Sequence, residues 1–330
     1  MNRITWIDQF RGLAIFFVIL SHTCRSYNWL YTYSMLPMFF YISGYLHKSV
    51  IDYKVLFNRL FKRLYIPLLF FGLLPNLFNL LKYKELFPVK DYFIGIVLGI
   101  NVGWFIPCLM VVELIVFFVD YIIKKFTLND LLIYIIMIIF SISFMFLVEE
   151  NSHCPWAADT ALASIGFYYV GIIIKRFESL GKLGFKIRKS FLYLCLFFFL
   201  LLSYIAIHSG FYFNLSINRI SNPPVIFLLG IMSCFIFMSL VKAIDLGPLF
   251  TWMGINSLFL YYTNIYLKPI CIFLFNLFHF DILLFPPYIS GLVLSLSQVI
   301  LAYPFISFVN KYTPILVGVS KVNFKTSKLV

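Results

Sequence analysis

Residues 220–241 read ISNPPVIFLLGIMSCFIFMSLV, an apolar run bounded by Arg219 and Lys242 with no charged residue between them. A helix rises about 1.5 Å per residue, so roughly 20 residues cross the hydrocarbon core of a bilayer. Tyr92 to Val112, Leu131 to Val148, Ser190 to Asn218, Leu246 to Leu267 and Ile282 to Asn310 repeat the pattern. Lipid supplies no hydrogen-bond partners, so only helices and closed barrels span it. Barrel strands alternate polar and apolar residues over about ten positions, and these runs do not. The fold class expected is therefore an all-α polytopic membrane protein.

Composition points the same way. The 330 residues are 62% hydrophobic and 12% charged, against about 25% charged in a soluble domain. Forty-one Phe and 22 Tyr exceed what one water-soluble core of this size hides. Hydropathy predicts ten transmembrane helices, at about 11–30, 34–47, 64–81, 102–123, 130–148, 160–174, 190–208, 224–241, 247–267 and 284–309. The apolar segment 92–101 is too short to cross and is expected to dip into one leaflet. No soluble appendage or internal repeat is visible, so residues 1–330 read as a single membrane-embedded domain. The first span lacks a small-residue cleavage site and is expected to stay in the mature chain.

Positive charge orients the spans. With the N-terminus inside, nineteen Lys and Arg fall on the cytoplasmic side and six outside, with Arg11 within the first span. Both termini come out cytoplasmic. The net charge of +13 thus sits in loops facing anionic membrane lipids, and nucleic acid is not expected as a partner. Cys24, Cys108, Cys154, Cys195, Cys234 and Cys271 are scattered without metal-ligand spacing. They read as packing residues, with no structural disulfide and no metal.

Ionisable groups inside a membrane are costly and mark functional candidates. They are Arg11 and His22 on the first span, Glu113 on the fourth and Asp159 at the mouth of the sixth. Eleven residues are three turns plus about 20°, so Arg11 and His22 share a helix face about 16 Å apart along the axis. A cation near one boundary and an imidazole deeper in suit a site that grips an anionic group and handles a proton. A snorkelling Arg and a hydrogen-bonded structural His would serve the same spacing. Glu113 could orient His22, bind acceptor hydroxyls, or pair with an Arg in the bundle. Asp159 could touch a sugar or cap a helix. Trp104, Phe105 and Trp156 could stack on sugar rings or form an interfacial belt. Ser43 lacks a nucleophile elbow, and the Ser43–Gly44 pair reads better as close helix packing. His47, His153, His208 and His279 lie at helix ends or in loops and carry no assignment.

The stretch WIDQFRGLAIFFVILSH (6–22), followed by LPMFFYISGYL (36–46), resembles the acyltransferase-3 family of integral membrane acyltransferases. That family opens with Arg-x10-His on its first helix, here Arg11 and His22. A Pro-Phe-Phe-x-x-Ser-Gly-Tyr-like helix follows, here Pro37, Phe39, Phe40, Ser43, Gly44 and Tyr45. Arg59, Lys62, Arg63, Tyr65 and Pro67 look like its basic run entering the third helix, and GWFIPCLMVVEL (103–114) is similar to its Trp-Phe segment. CPWAADTALASIGFYYVG (154–171) and GINSLFLYY (254–262) resemble blocks of its sugar O-acetyltransferase branch. In that branch a histidine often follows the last block; Asn264 stands there, so no second histidine role carries over.

The resemblance implies a multi-pass O-acetyltransferase of the bacterial inner membrane. It would use acetyl-CoA as co-substrate, with no tightly bound cofactor, and an exported or lipid-linked glycan as acceptor. His22 would be the general base, with Arg11 and Glu113 beside it in the catalytic set. Arg59, Lys62 and Arg63 would hold the coenzyme A phosphates, and Trp104 and Asp159 would meet the acceptor. The rival reading, a transporter or flippase of lipid-linked saccharides, gives no reason for Arg-x10-His beside the Ser-Gly-Tyr helix. The topology is checked with reporter fusions: those after Lys125 and Arg176 should read cytoplasmic, and those near Glu149 and Ser216 external. Inverted signals at both pairs would overturn the assignment.

Overall fold

A computed structural model describes residues 4–50, 52–73, 89–99, 103–151, 154–180 and 189–313. The outer half of the third predicted span with Lys82 and Lys84, loop residues Lys182, Lys186 and Arg188, His153, and Lys321, Lys325 and Lys328 lie outside the described residues.

The described chain is almost wholly helical. Helix α1 (Thr5–Thr23) ends where Cys24 turns to extended backbone. A 3-10 turn and the single turn α2 (Asn28–Tyr31) lead into α3 (Met35–Tyr45). At 11 residues α3 is about 16 Å long, half of what a bilayer crossing needs. Next come α4 (Tyr53–Leu60), a π turn (Phe61–Tyr65) and α5 (Ile66–Phe71). Pro67 has no N–H to give to an i−4 carbonyl, and the wider π register immediately before it takes up the mismatch. Then follow α6 (Val89–Leu98), α7 (Phe105–Lys125), α8 (Asp130–Phe144) and α9 (Ala158–Ser179). The last third holds α10 (Lys189–His208), α11 (Pro223–Ala243), α12 (Gly247–Ile255), α13 (Ser257–Leu277) and α14 (Pro287–Tyr312). A two-residue antiparallel ladder pairs Phe213 with Ile220 and Asn214 with Arg219 between α10 and α11.

Among the described residues six helices are long and apolar enough to cross a membrane: Phe105–Lys125, Pro155–Ser179, Lys189–His208, Pro223–Ala243, Ser257–Leu277 and Pro287–Tyr312. The chain is thus multi-pass. The sixth predicted span, short by hydropathy, forms the longer helix α9 with its preceding 3-10 turn, and it is the most buried of the six. The ninth predicted span, 247–267, is two helices. Asn256 breaks it: its side chain donates to Trp252 O at 2.8 Å and accepts from Asn310 at 3.0 Å, tying the break to α14.

Helix α1 runs through the middle of the bundle, packed by α3, α11, α12, α13 and α14. Glycines set how close these neighbours come. A Cβ on Gly12 would overlap the Phe250 carbonyl, and one on Gly254 would overlap that of Asp8, so α1 and α12 touch backbone to backbone. The α3–α9 pair repeats the arrangement: Gly44 faces the Tyr168 carbonyl and Gly171 that of Tyr41. This bears out the close-packing reading of Ser43–Gly44 for its glycine. At one end the Glu178 carboxylate accepts from the Tyr45 hydroxyl and the Lys242 ammonium, and Lys242 lies 4.5 Å from the Trp6 ring centre. One polar knot therefore joins α1, α3, α9 and α11.

Overpacking a core typically costs about 1–3 kcal/mol, and here the intruding group meets backbone, which cannot rotate away. Gly171→Val or Gly254→Val should lower the thermal midpoint of the detergent-solubilised protein by several degrees or abolish its monodisperse elution. Leu228→Ala, at an exposed position of α11, should change neither.

Candidate active site

Because α1 is unbroken from Thr5 to Thr23, Arg11 and His22 do share one helix face, about 16 Å apart along the axis. Arg11 is half-buried and engaged by neighbouring groups. His22 keeps accessible surface although packed protein surrounds it, which is how a side chain lining a crevice behaves. Its imidazole has no hydrogen-bond partner among the described residues. Its backbone carbonyl accepts from the Lys268 ammonium at 2.9 Å, which ties this end of α1 to α13. Gln298 of α14 donates to Thr23 at 3.1 Å, and Cys24 packs on Gly291 with its thiol 3.1 Å from Pro287 O. The imidazole is thus free at the end of a backbone held from two sides.

Glu113 does not meet His22. Its carboxylate takes the Arg59 guanidinium at 2.6 Å and the Tyr168 hydroxyl at 3.0 Å. Of the three readings open to Glu113, the geometry is that of an ion pair in the bundle. The Tyr168 oxygen lies 3.1 Å from His47 Nδ1, and His47 Nε2 lies 2.9 Å from Asp120 Oδ2. Five polar side chains from α4, α7, α9 and the chain after α3 therefore form one series. Lys62 and Arg63 stand exposed on the π turn beyond Arg59.

Asp159 is buried, and its carboxylate accepts from Asn218 at 2.7 Å; Asn218 in turn accepts from Thr160 at 2.8 Å. The helix N-cap is Ala157, without a side-chain cap, so the capping reading of Asp159 falls. The carboxylate instead pins the 213–220 hairpin onto the start of α9. Trp156 donates to Val97 O at 2.9 Å and stacks on Tyr65, so its ring is taken up by packing. Trp104 is half-buried and meets Phe105 edge to face.

A family model described as an acyltransferase domain matches residues 4–304. The chain belongs to the acyltransferase-3 family. It is by that membership a membrane acyltransferase, and the match takes in every site residue named above. No curated protein and no solved structure matches the chain. Within this acyltransferase-3 domain, sequence reading passed over Asp120 and gave His47 no role. The available signal was spacing: Glu113 and Asp120 are seven residues apart on α7, two turns less about 20°, and so share a face.

The Arg59–Glu113 pair has a testable energetic signature. Both side chains are partly buried, 26% and 15% exposed, and losing one partner of a charge-assisted bond costs roughly 1.5–3 kcal/mol. Arg59→Gln should lower the thermal midpoint, and Arg59→Gln combined with Glu113→Gln should recover much of the loss, because no carboxylate is then left unpaired. An additive double mutant would show the pair to be energetically idle.

Proposed function

We propose that the chain transfers an acetyl group from cytosolic acetyl-CoA to a hydroxyl of an exported or lipid-linked glycan, with His22 as general base. Family membership supports acyl transfer. The accessible imidazole at the end of α1, without a hydrogen-bond partner among the described residues, is the observation that carries the base assignment. In the reaction His22 takes the proton of the sugar hydroxyl as its oxygen attacks the thioester carbonyl. The carbon–sulfur bond breaks, and the coenzyme A thiolate leaves and receives that proton.

Donor recognition is assigned to the exposed Lys62 and Arg63, with Arg59 behind them, because cationic side chains suit phosphates. Arg11, between that side and His22, would steady the donor or the base. Trp104 remains available to the acceptor; Asp159 would act through the hairpin it holds. A transporter of lipid-linked saccharides would have no use for a free base at this point.

Membranes carrying the protein should release free coenzyme A from acetyl-CoA when glycan is supplied. Removing a general base costs roughly 10²–10⁴-fold in rate, so His22→Ala should be folded and nearly inactive. His22→Gln should be almost as poor, since an amide cannot accept the proton. Full activity in His22→Gln would remove the base assignment. Lys62→Gln with Arg63→Gln should raise the Michaelis constant for acetyl-CoA at least tenfold, given about 1.5–3 kcal/mol per charged hydrogen bond, and leave the acceptor constant unchanged. Equal constants would leave these residues a topological role only.

A further inference from the structure

The series Asp120–His47–Tyr168–Glu113 contains three contacts of hydrogen-bond length, at 2.9, 3.1 and 3.0 Å. Each needs one hydrogen. A neutral imidazole supplies one and the tyrosine hydroxyl another, while ionised carboxylates supply none. Two hydrogens cannot fill three gaps, and with only two, one contact would set lone pair against lone pair. Charge counting demands the same missing proton. Arg59 offsets Glu113, which among the described residues leaves Asp120 with no ion-pair partner but His47, in a site where the His47 and Asp120 side chains are 8% and 3% exposed. An unpaired buried carboxylate is costly. One added proton completes the hydrogen bonds and brings the series to neutrality.

Its place is fixed by the neighbours. Arg59 pairs with Glu113, and of the two groups left an imidazole is a stronger base than a carboxylate. Tyr169 lies near Asp120 and Lys48 follows His47 at the surface, and neither competes for the ring. That leaves the imidazole. We infer that His47 carries both ring protons between Tyr168 and Asp120, and that this relay positions the Arg59 guanidinium for an anionic group of the donor. The first half stands on hydrogen bonding and charge alone; the second rests on the donor reading above. His47 is then a positioning residue, remote from the reacting atoms. It follows Tyr45, which packs on Trp6, and Trp6 is about 24 Å along α1 from His22.

The relay is tested by nitrogen-15 spectra of histidine-labelled protein in nanodiscs at neutral pH, with His47→Gln identifying the signal. The expected wild-type signal is an imidazolium. Asp120→Asn should abolish it without unfolding the protein, because the amide supplies the third hydrogen and removes the unbalanced charge. A neutral ring in the wild type, or an imidazolium that persists in Asp120→Asn, overturns the relay. Coenzyme A affinity tests the second half. A glutamine at 47 donates from one end only, so His47→Gln should stay folded and monodisperse but bind coenzyme A about tenfold more weakly, while Lys48→Gln should not. Equal affinity in His47→Gln overturns the positioning role. Failure of the wild type itself to bind coenzyme A would overturn the donor reading, with the spectra still deciding the relay.

Discussion

Everything in this bundle depends on two places where helices meet with no side chain between them. Lipid tails are as apolar as leucine, so helices gain little by hiding apolar surface from one another, and association rests on close packing. Gly12 with Gly254 and Gly44 with Gly171 allow that packing at its tightest. The first pair sets α1 against α12, and the second sets α3 against α9. With α1 held this way, Arg11 and His22 are fixed in depth and direction by backbone contact. Dispersion forces at such contacts are individually small, but they fall off steeply with separation. One added methyl group would therefore cost the whole interface and not one contact.

The polar groups are arranged around that frame by a single rule: each buried charge meets an opposite charge or a hydrogen-bonding side chain. Glu178 takes Lys242 and Tyr45, Glu113 takes Arg59 and Tyr168, and Asp159 takes Asn218. His22 is the exception among described histidine and carboxylate groups on α1, α7 and α9, since its ring has accessible surface and no hydrogen-bond partner.

Much of this could be read from sequence, and the failures have physical causes. Spans predicted at 102–123, 190–208 and 224–241 match α7, α10 and α11 to within about three residues, because charged or proline-bearing ends bound long apolar runs. The break at Asn256 was invisible because hydropathy averages over a window, and one asparagine in GINSLFLYY does not lower it. Helix α9 was underestimated because Asp159 and its polar neighbours looked like a membrane boundary; buried in the bundle they have partners that lipid would not provide. The Arg11–His22 face was legible from spacing alone. The His47 relay was not, since its members come from three helices and a connecting segment, and only Glu113 and Asp120 are close in sequence.

The half-length α3 has a consequence for how the protein is made. Eleven residues cannot hold themselves across a bilayer, and the neighbouring segment is threaded with hydroxyls, from Tyr31 to Cys24 O and from Ser34 to Leu30 O. What keeps α3 in place is α9, whose Tyr168 carbonyl and Gly171 grip it and which leaves the ribosome more than a hundred residues later. Until then, residues 35–45 have no permanent seat. Insertion of this chain must therefore end with a lateral docking event inside the membrane, after the later helices have arrived, and the insertion machinery has to shelter α3 through that interval.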